Sequence, residues 1–422
     1  MTTEGLVRSY GALLIGALLP IWTASHASIQ VPKSVKKKWK ELAGKHKPSN
    51  VEEEEEDEED EEDEEVERLT TADAYAFPIL GSFVLFGLFL AFKYLDKSLL
   101  NRILGGYMAL MGTGALGRTL ADLTKRALGE KRSQKMDKYN LSLKKNKEEI
   151  SKLSFTRLHI FSCIGALALT FAQQYTQHWV LSNILALSFA YSAISLFYLD
   201  SFATASILLA GLFFYDIWWV FGSKAVFGEG ADVMVSVAKS FEAPIKIVFP
   251  KDLSAAKDFT LLGLGDIVLP GSFLALALRF DYHQAIKRAL SESQSPPRPS
   301  QRFAKPYFLT TFSAYIGGLA TTIFVMHHFR AAQPALLYLS PACIGSVTLT
   351  AFVRGESKEL WGWEDGEEER KERERKEKKG EENEIKEEKE RDTDSKELAT
   401  VETTSIEVDG GRVLRSRASR SS

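Results

Sequence analysis

The sequence predicts an all-α polytopic membrane protein with about nine transmembrane helices. Its apolar residues are gathered into segments of about 17 to 25 residues, the length that a helix needs to cross a bilayer. Although 26% of the 422 residues are charged, most charges lie between or beyond these segments. Three loops rich in Lys and Arg also fall on one side of the membrane if nine helices alternate in direction, which supports the count.

Nine segments carry this prediction. In chain order they cover residues 9–28, 75–95, 103–122, 157–173, 179–198, 203–222, 259–280, 307–328 and 333–353. The first is the least secure, because Arg8 followed by an apolar stretch and the small residues 24–28 is also typical of a cleavable secretory signal. We expect a retained helix, and cleavage would not invert the remainder of the chain.

The positions of Lys and Arg predict the orientation. Basic residues concentrate in loops 29–74, 123–156 and 281–306, and such loops remain in the cytosol. The N-terminus is therefore expected in the lumen and the C-terminus in the cytosol. This divides the chain into a first helix, a cytosolic loop, helices 2 to 5 with a basic loop, helices 6 to 9, and a charged tail, with bounds 1–28, 29–74, 75–202, 203–353 and 354–422.

Two stretches have low complexity. Residues 52–65 are acidic without interruption, so they repel one another and are expected to be disordered. We interpret this run as a solvated spacer, and a dock for a basic partner is the alternative. The tail begins with Trp361 and Trp363, an aromatic pair typical of a membrane interface. It continues as a Glu/Lys/Arg tract for which we predict disorder.

Two aspartates lie inside otherwise acid-free apolar segments and are the candidate catalytic residues. Asp216 lies near the middle of one predicted helix, and Asp266 about two turns into the next. An acid at the centre of a bilayer costs about 2.5 to 3.5 kcal/mol even on insertion scales. Two acids that share a site can divide the roles of general acid and general base. The pair therefore favours an intramembrane aspartyl protease over a purely structural role.

The residues around Asp266 fit an open site. Gly263 and Gly265 remove side chains next to the acid, which permits close approach of substrate or of a partner helix. Pro270 has no N–H for the carbonyl of Asp266, and an unpaired carbonyl at membrane depth must face protein or water. Near the start of the last segment, Pro334 similarly leaves the carbonyl of Arg330 without its helical donor.

Other functions find less support. The GxGxxG match at 112–117 lies in an apolar helix with no preceding strand, so we predict no dinucleotide cofactor. No metal-ligand spacing occurs, and no cofactor, metal or nucleic acid is expected. Asp281 falls at a segment end, where we expect its carboxylate to reach water. Two alternatives stay open: a transporter or channel with the acids as a proton relay, and a membrane scaffold of endoplasmic reticulum (ER) protein degradation.

Three motifs in order resemble the presenilin and signal peptide peptidase superfamily of intramembrane aspartyl proteases. They are Tyr215-Asp216, Gly263-Leu264-Gly265-Asp266 and Pro334-Ala335-Leu336. The resemblance is dense over 203–355 and includes the stretch Met234 to Pro250. It implies a presenilin-like fold of nine helices, Asp216 and Asp266 as the catalytic pair, and a site shaped by the other motif residues. The role of Tyr215 within this set is the least defined.

The resemblance also implies substrates and location. It implies cleavage of type II-oriented transmembrane segments, above all signal peptides left in the ER membrane by signal peptidase. A homo-oligomer and contacts with ER degradation factors are further expectations, as is a multi-pass location in the ER membrane. The loop 223–258 is short, which favours the signal peptide peptidase branch over presenilins. The acidic run 52–65, the basic loop 123–156 and a C-terminus without a dilysine motif depart from the pattern.

Overall fold

A computed structural model of the chain describes residues 3–44, 68–128, 138–145, 148–223, 244–251, 259–329 and 333–367, with a few isolated positions beyond them. The helices are α1 Thr3–Ala27, α2 Lys33–Gly44, α3 Thr71–Tyr94, α4 Lys97–Leu128, α5 Arg157–Thr176, α6 Trp179–Leu196, α7 Phe202–Ile217, α8 Gly265–Ser291, α9 Pro306–Phe329, α10 Leu336–Arg354 and α11 Ser357–Gly362. A π-helical turn, Trp218–Gly222, extends α7.

Each of the nine predicted apolar segments overlaps one long helix of this part of the chain, although the seventh begins with a strand. Six of the described helices, α1, α3, α6, α7 with its π turn, α9 and α10, are long and apolar enough by length and composition to cross a membrane. Several apolar helices of this kind identify a multi-pass membrane protein. The helices α4, α5 and α8 do not meet the same criterion, so the count of nine spans stays a prediction.

Three small sheets among the described residues interrupt the all-α pattern. The strands are β1 Arg68–Leu69, β2 Lys138–Lys145, β3 Glu148–Thr156, β4 Tyr198–Leu199, β5 Lys246–Pro250 and β6 Phe259–Gly263. The short strands β1 and β4 pair in parallel, whereas β2 with β3 and β5 with β6 form antiparallel pairs. The basic loop predicted at 123–156 therefore contains the last turns of α4 and a β-ribbon.

The core surrounds α8, which is buried without a break from Pro270 to Tyr282. Helices α1, α6, α7, α9 and α10 all pack against it. At Gly271 a Cβ atom would lie 2.6 Å from Cδ1 of Ile194 on α6. Only glycine allows so close an approach of two helices, as at other membrane-helix contacts with small residues. The side chain of Ile194 on α6 therefore packs directly against the backbone of α8 at this point.

Helix α1 belongs to the same core. Leu13, Ala17, Ile21 and Ala24 recur at helical spacing, and all four are buried in the main hydrophobic cluster. A Cβ at Gly271 would also lie 3.3 Å from Ile21. Loss of this helix would expose one side of α8, and this packing favours the interpretation of the first segment as a retained helix.

In contrast to α1, helix α3 is peripheral. Only a few of its side chains are buried, and it packs mainly against α7. Cγ of Pro78 lies 2.8 Å from the position that a Cβ at Gly211 would occupy, and Trp219 Nε1 donates a 3.1 Å hydrogen bond to Ser82 Oγ. The remaining apolar side chains of α3 face outward, as expected for a helix that contacts lipid.

Three sequence expectations differ from the structure. Residues 259–263 were expected to begin a membrane helix but form β6, because pairing with β5 satisfies their backbone. Asp266 consequently lies in the first turn of α8 and not two turns inside a helix. The charged tail was expected from residue 354, but α11 and Trp363 pack onto the helices, with Leu360 fully buried in the main cluster. The acidic run 52–65 lies outside the described residues.

Residues 1–365 form one compact unit, and Gly366–Ser422 form a second. In the second unit only a few residues are described. Lys371 pairs with Glu367 one helical turn away, and the N–H of Arg370 donates to the carbonyl of Gly366 at 3.0 Å. These local contacts are typical of a short helical turn.

Candidate active site

Asp216 lies at the end of α7, directly before the chain widens into a π turn. The helix begins at Ser201, whose hydroxyl accepts a 3.2 Å hydrogen bond from the N–H of Thr204 and so caps it. Asp216 itself is only 4% exposed. The backbone N–H of Leu336, in the first turn of α10, donates a hydrogen bond to the Asp216 carboxylate. Single π turns are often found at functional sites because they displace a side chain from the helical register.

Asp266 is presented by a strand-to-helix junction. β6 ends at Gly263, and the N–H of Leu264 donates to the carbonyl of Ile245 at 3.0 Å, which extends the pairing with the β5 side. Helix α8 then begins at Gly265, so that Asp266 is its second residue. Asp266 is partly exposed, in contrast to the buried Asp216. The partial positive charge of a helix N-terminus favours a carboxylate at this place.

The two candidate acids lie close enough to interact electrostatically. They come from different helices, and each is fixed by a different neighbour, α10 for Asp216 and the β5–β6 hairpin for Asp266. Two neighbouring carboxyl groups that are held by different elements can divide the acid and base roles between them.

The glycines beside Asp266 differ in what they face. A Cβ at Gly263 would lie 3.4 Å from Oδ2 of Asp266, whereas a Cβ at Gly265 would meet no described residue within 4 Å. Gly263 therefore borders the carboxylate, and Gly265 borders open space. An approach of another chain to the acid is least obstructed on the Gly265 side.

The carbonyl of Asp266, which Pro270 cannot bond, has a partner. The hydroxyl of Tyr315 on α9 donates to it at 3.2 Å, and Tyr315 is fully buried. Burial of such a carbonyl without a donor would cost about 1 to 3 kcal/mol. The carbonyl was expected to face protein or water, and it faces protein. Through this bond α9 holds the first turn of α8.

The Pro-Ala-Leu motif lies at the start of α10 and is buried throughout. Leu336 joins it to Asp216 through the backbone, and the N–H groups of Tyr338 and Leu339 donate to the carbonyl of Ala335 at 3.1 Å each. Proline is well suited to a helix start, since its missing N–H would have no helical partner there. The carbonyl of Arg330, predicted to lack its helical donor because of Pro334, lies outside the described residues.

The ring of Tyr215 packs toward α3. Its ring lies 3.6 Å from the place of a Cβ at Gly81 on α3, and its centroid is 6.4 Å from that of Trp219. Leu264 packs against the main hydrophobic cluster. Tyr215 therefore joins α3 to α7, and Leu264 anchors the junction that presents Asp266.

Sequence reasoning missed two residues around the site. One is Tyr315. Another is Asn183 on α6, whose side-chain amide donates to the carbonyl of Val248 at 2.7 Å and accepts from its N–H at 2.9 Å. Asn183 thus completes the outer edge of β5 as a neighbouring strand would. Neither could be found from local spacing, because each bond joins segments distant in the chain.

Asp281 lies further along α8, 15 residues after Asp266, and the expectation for it was wrong. Its carboxylate does not reach water but is 2% exposed. The N–H groups of Tyr307 and Phe308 donate to its two oxygens at 3.2 and 2.8 Å. Asp281 on α8 therefore satisfies the free N–H groups at the start of α9, which holds these helices together.

No cofactor geometry emerges in the described part of the chain. No group of three His, Cys, Asp or Glu side chains able to hold a metal ion occurs among the residues described. The glycines of the GxGxxG match lie within α4, where a Cβ at Gly112 would be 3.3 Å from the Phe189 ring. That glycine provides room for helix packing against α6.

Comparison with known proteins agrees with this architecture. The family model described as signal peptide peptidase matches residues 61–367. The chain is 36% identical over 373 residues to signal peptide peptidase of Homo sapiens, covering 86% of this chain and 85% of that protein. The corresponding protein of Mus musculus is 37% identical over 371 residues, with the same coverage. Intramembrane protease 2 of Caenorhabditis elegans is 42% identical over 238 residues, or 54% of this chain and 48% of that protein. The protein therefore belongs to the signal peptide peptidase family.

Proposed function

We propose that the protein is an intramembrane aspartyl endopeptidase with Asp216 and Asp266 as its catalytic pair. The observation that carries the proposal is their proximity at the adjoining ends of α7 and α8, two acids in otherwise apolar helices. Family membership supports proteolysis, and the paired carboxylates support the aspartic class. Gly263, Leu264, Gly265, Pro334, Ala335 and Leu336 support the site, and Tyr215 docks α3 against it.

The chemistry needs one ionised and one protonated carboxyl group. The ionised group takes a proton from a water molecule whose oxygen attacks the scissile carbonyl carbon, while the protonated group donates to the carbonyl oxygen. The amide nitrogen then receives a proton as the C–N bond breaks. The apolar surroundings of Asp216 keep bulk water away, which strengthens these interactions.

The likeness to signal peptide peptidases of human and mouse favours signal peptides and type II-oriented membrane segments as substrates. Such a helix must unwind before its peptide bonds can be attacked. In the described part of the chain no strand pairs with the second edge of β6, which ends beside Asp266. Its backbone groups, and those near Pro334, are suited to bind an unwound segment. We include in the same proposal that the protein lies in the ER membrane with its N-terminus in the lumen. We also include that it acts as a homo-oligomer without other subunits.

Cleavage of a type II signal-peptide reporter in membranes tests the proposal. We compare wild type with Asp216→Asn and Asp266→Asn, which keep the side-chain size, and with Asp96→Asn as a control outside the site. The proposal requires that each dyad variant is inserted but inactive while the control cleaves normally. If both dyad variants cleave like wild type, the protease assignment of these residues is wrong. Proton flux through the same variants would then test the transporter alternative.

A further inference from the structure

The segment after α10 folds back onto the catalytic helices. We define residues 356–365 as the clamp segment. Its Trp363 ring lies between two helices, with centroid distances of 6.0 Å to Phe202 on α7 and 5.2 Å to Phe280 on α8. Leu360, in the same segment, is fully buried. A large aromatic ring enclosed by two others contributes both buried area and a preferred edge geometry.

A buried ion pair adds a second attachment to α8. The Nε atom of Arg279 lies 2.8 Å from Oδ2 of Asp365, with the two side chains 4% and 15% exposed. The guanidinium also stacks 4.6 Å above the ring of Tyr198. Removal of one partner from a buried pair leaves an uncompensated charge and is strongly unfavourable. The position of Asp365 is therefore closely coupled to α8.

Backbone contacts connect the clamp segment to the start of α7. Glu364 forms an antiparallel β-bridge with Ser201, and the N–H of Asp365 donates to the carbonyl of Asp200 at 2.6 Å. Ser201 is the residue that caps α7. A bridge between two backbones does not depend on side-chain rotamers. This contact therefore fixes the position and the direction of the first turn of α7.

These contacts hold the ends of α7 and α8 that lie far from the acids. Phe202 precedes Asp216 by 14 residues, and Arg279 follows Asp266 by 13 residues. At 1.5 Å per residue, the attachments lie about 21 Å and about 20 Å along the helices from their acids. The two helices run in opposite directions. The clamp segment is therefore attached to both of them at nearly the same distance from the acids.

We propose that the clamp segment positions the two catalytic helices, so that the separation of Asp216 and Asp266 depends on Trp363 and Asp365. This inference rests on the proposed function of the dyad. A small rotation of either helix at the clamped end moves its acid at the other end, and misplacement by 1 Å can cost about a hundredfold in rate. The clamp residues do not touch substrate, so they act on turnover through the helices and not on substrate binding.

Truncation provides the first test. A chain that ends after Asp365 keeps all these contacts and is expected to cleave the reporter with the kcat of the full chain. A chain that ends after Gly355 loses the clamp segment, and we expect its kcat to fall by at least about tenfold. Equal kcat for both truncations, or equal loss in both, would overturn the proposal.

Point variants avoid the risk that the shorter chain fails to fold. Asp365→Asn weakens the ion pair, and Glu367→Gln is the matched control, an acid two residues further on that pairs with Lys371. We expect Asp365→Asn to lower kcat by about tenfold with KM within twofold of wild type, and Glu367→Gln to leave both unchanged. The double variant Arg279→Glu, Asp365→Arg is expected to recover activity relative to Arg279→Glu alone.

The value of kcat is calculated per active site. The concentration of active sites is measured by titration with a tight-binding inhibitor, a peptide in which a hydroxyl-containing group mimics the tetrahedral intermediate. A segment that only stabilises the fold would reduce the number of titratable sites but not kcat per site, and that result would refute positioning. Asp216→Asn is measured in parallel. If it is inactive while Asp365→Asn matches wild type, the clamp proposal alone fails; if Asp216→Asn is active, the proposed function fails.

Discussion

At the scale of single residues, the contact between Tyr315 and Asp266 gives a sharp test of how the acid is held. Tyr315→Phe removes only the hydroxyl that donates to the Asp266 carbonyl. The carbonyl cannot recover a donor from Pro270, so we expect a loss of about 1 to 3 kcal/mol in stability. We also expect a fall in kcat of about tenfold, because the first turn of α8 becomes less fixed.

Thermal unfolding in detergent and reporter kinetics measure these two effects. Tyr175→Phe is the control, since Tyr175 is 85% exposed. A Tyr315→Phe variant with unchanged unfolding and unchanged kcat would show that the hydroxyl does not hold the α8 start.

The two glycines next to Asp266 should respond differently to the same added methyl group. A Cβ at Gly265 would have no neighbour within 4 Å in the part of the chain that the structure describes, whereas a Cβ at Gly263 would lie 3.4 Å from the Asp266 carboxylate. If substrate approaches on the open side, Gly265→Ala raises KM and hardly changes stability. Gly263→Ala crowds the carboxylate and lowers kcat. Gly317→Ala, where a Cβ also meets nothing within 4 Å, is the control, and a KM for Gly265→Ala equal to that of this control would contradict the approach path.

At the scale of elements, the start of α8 is the place where local pattern and structure differ. The apolar run 259–263 is short, and periodicity cannot distinguish a buried strand from a helical turn in such a run. Its state is decided by β5, whose own outer edge is completed by Asn183 from α6. Long-range pairing therefore places Asp266 in a first helical turn, where sequence spacing had placed it deeper.

The attachment of the clamp segment to α9 and α10 has a pH dependence. Partial burial alone would raise the pKa of Glu356, but hydrogen bonds from Arg354 and Tyr307 outweigh it and hold the pKa below its ordinary value of 4.5. The fold therefore favours the ionised form. This stabilisation is fully present above about pH 4.5 and is lost as pH falls through the lower pKa of the folded state.

We expect the thermal unfolding temperature in detergent to decrease below pH 4.5 more steeply for wild type than for Glu356→Gln. Glu292→Gln, an acid at the exposed end of α8, is the control. Parallel curves for wild type and Glu356→Gln over that range would contradict this role for Glu356.

At the scale of the whole molecule, the helices were predictable and their attachments were not. The apolar segments coincide with long helices because a bilayer leaves the backbone few alternatives to helix. The two acids were singled out because they contrast with apolar surroundings, whereas the three motifs were recognised only through the resemblance to a family. The clamp segment was missed because Trp363 and Asp365 lie at the start of a charged tract, and only the folded chain brings them to Phe202 and Arg279.

Topology is the whole-molecule property that most needs measurement. Nine spanning helices, an odd number, place the two termini on opposite sides of the membrane, whereas the six helices that meet the length and composition criterion would place them on the same side. The question is whether α4, α5 and α8 also cross. Burial of α8 among five other helices means that its charged residues need not face lipid, so composition alone underestimates its ability to span.

Glycosylation-acceptor tags at each terminus distinguish the two counts, because acceptors are modified only in the ER lumen. We expect a tag before Met1 to be glycosylated and a tag after Ser422 to remain unmodified, since the basic loops hold their side of the protein in the cytosol. The native acceptor triplet at Asn140 should also stay unmodified. Sensitivity to an endoglycosidase is the control for the modified band. Glycosylation of both tags, or of neither, would require an even number of spans and would remove one or all three of α4, α5 and α8 from the membrane.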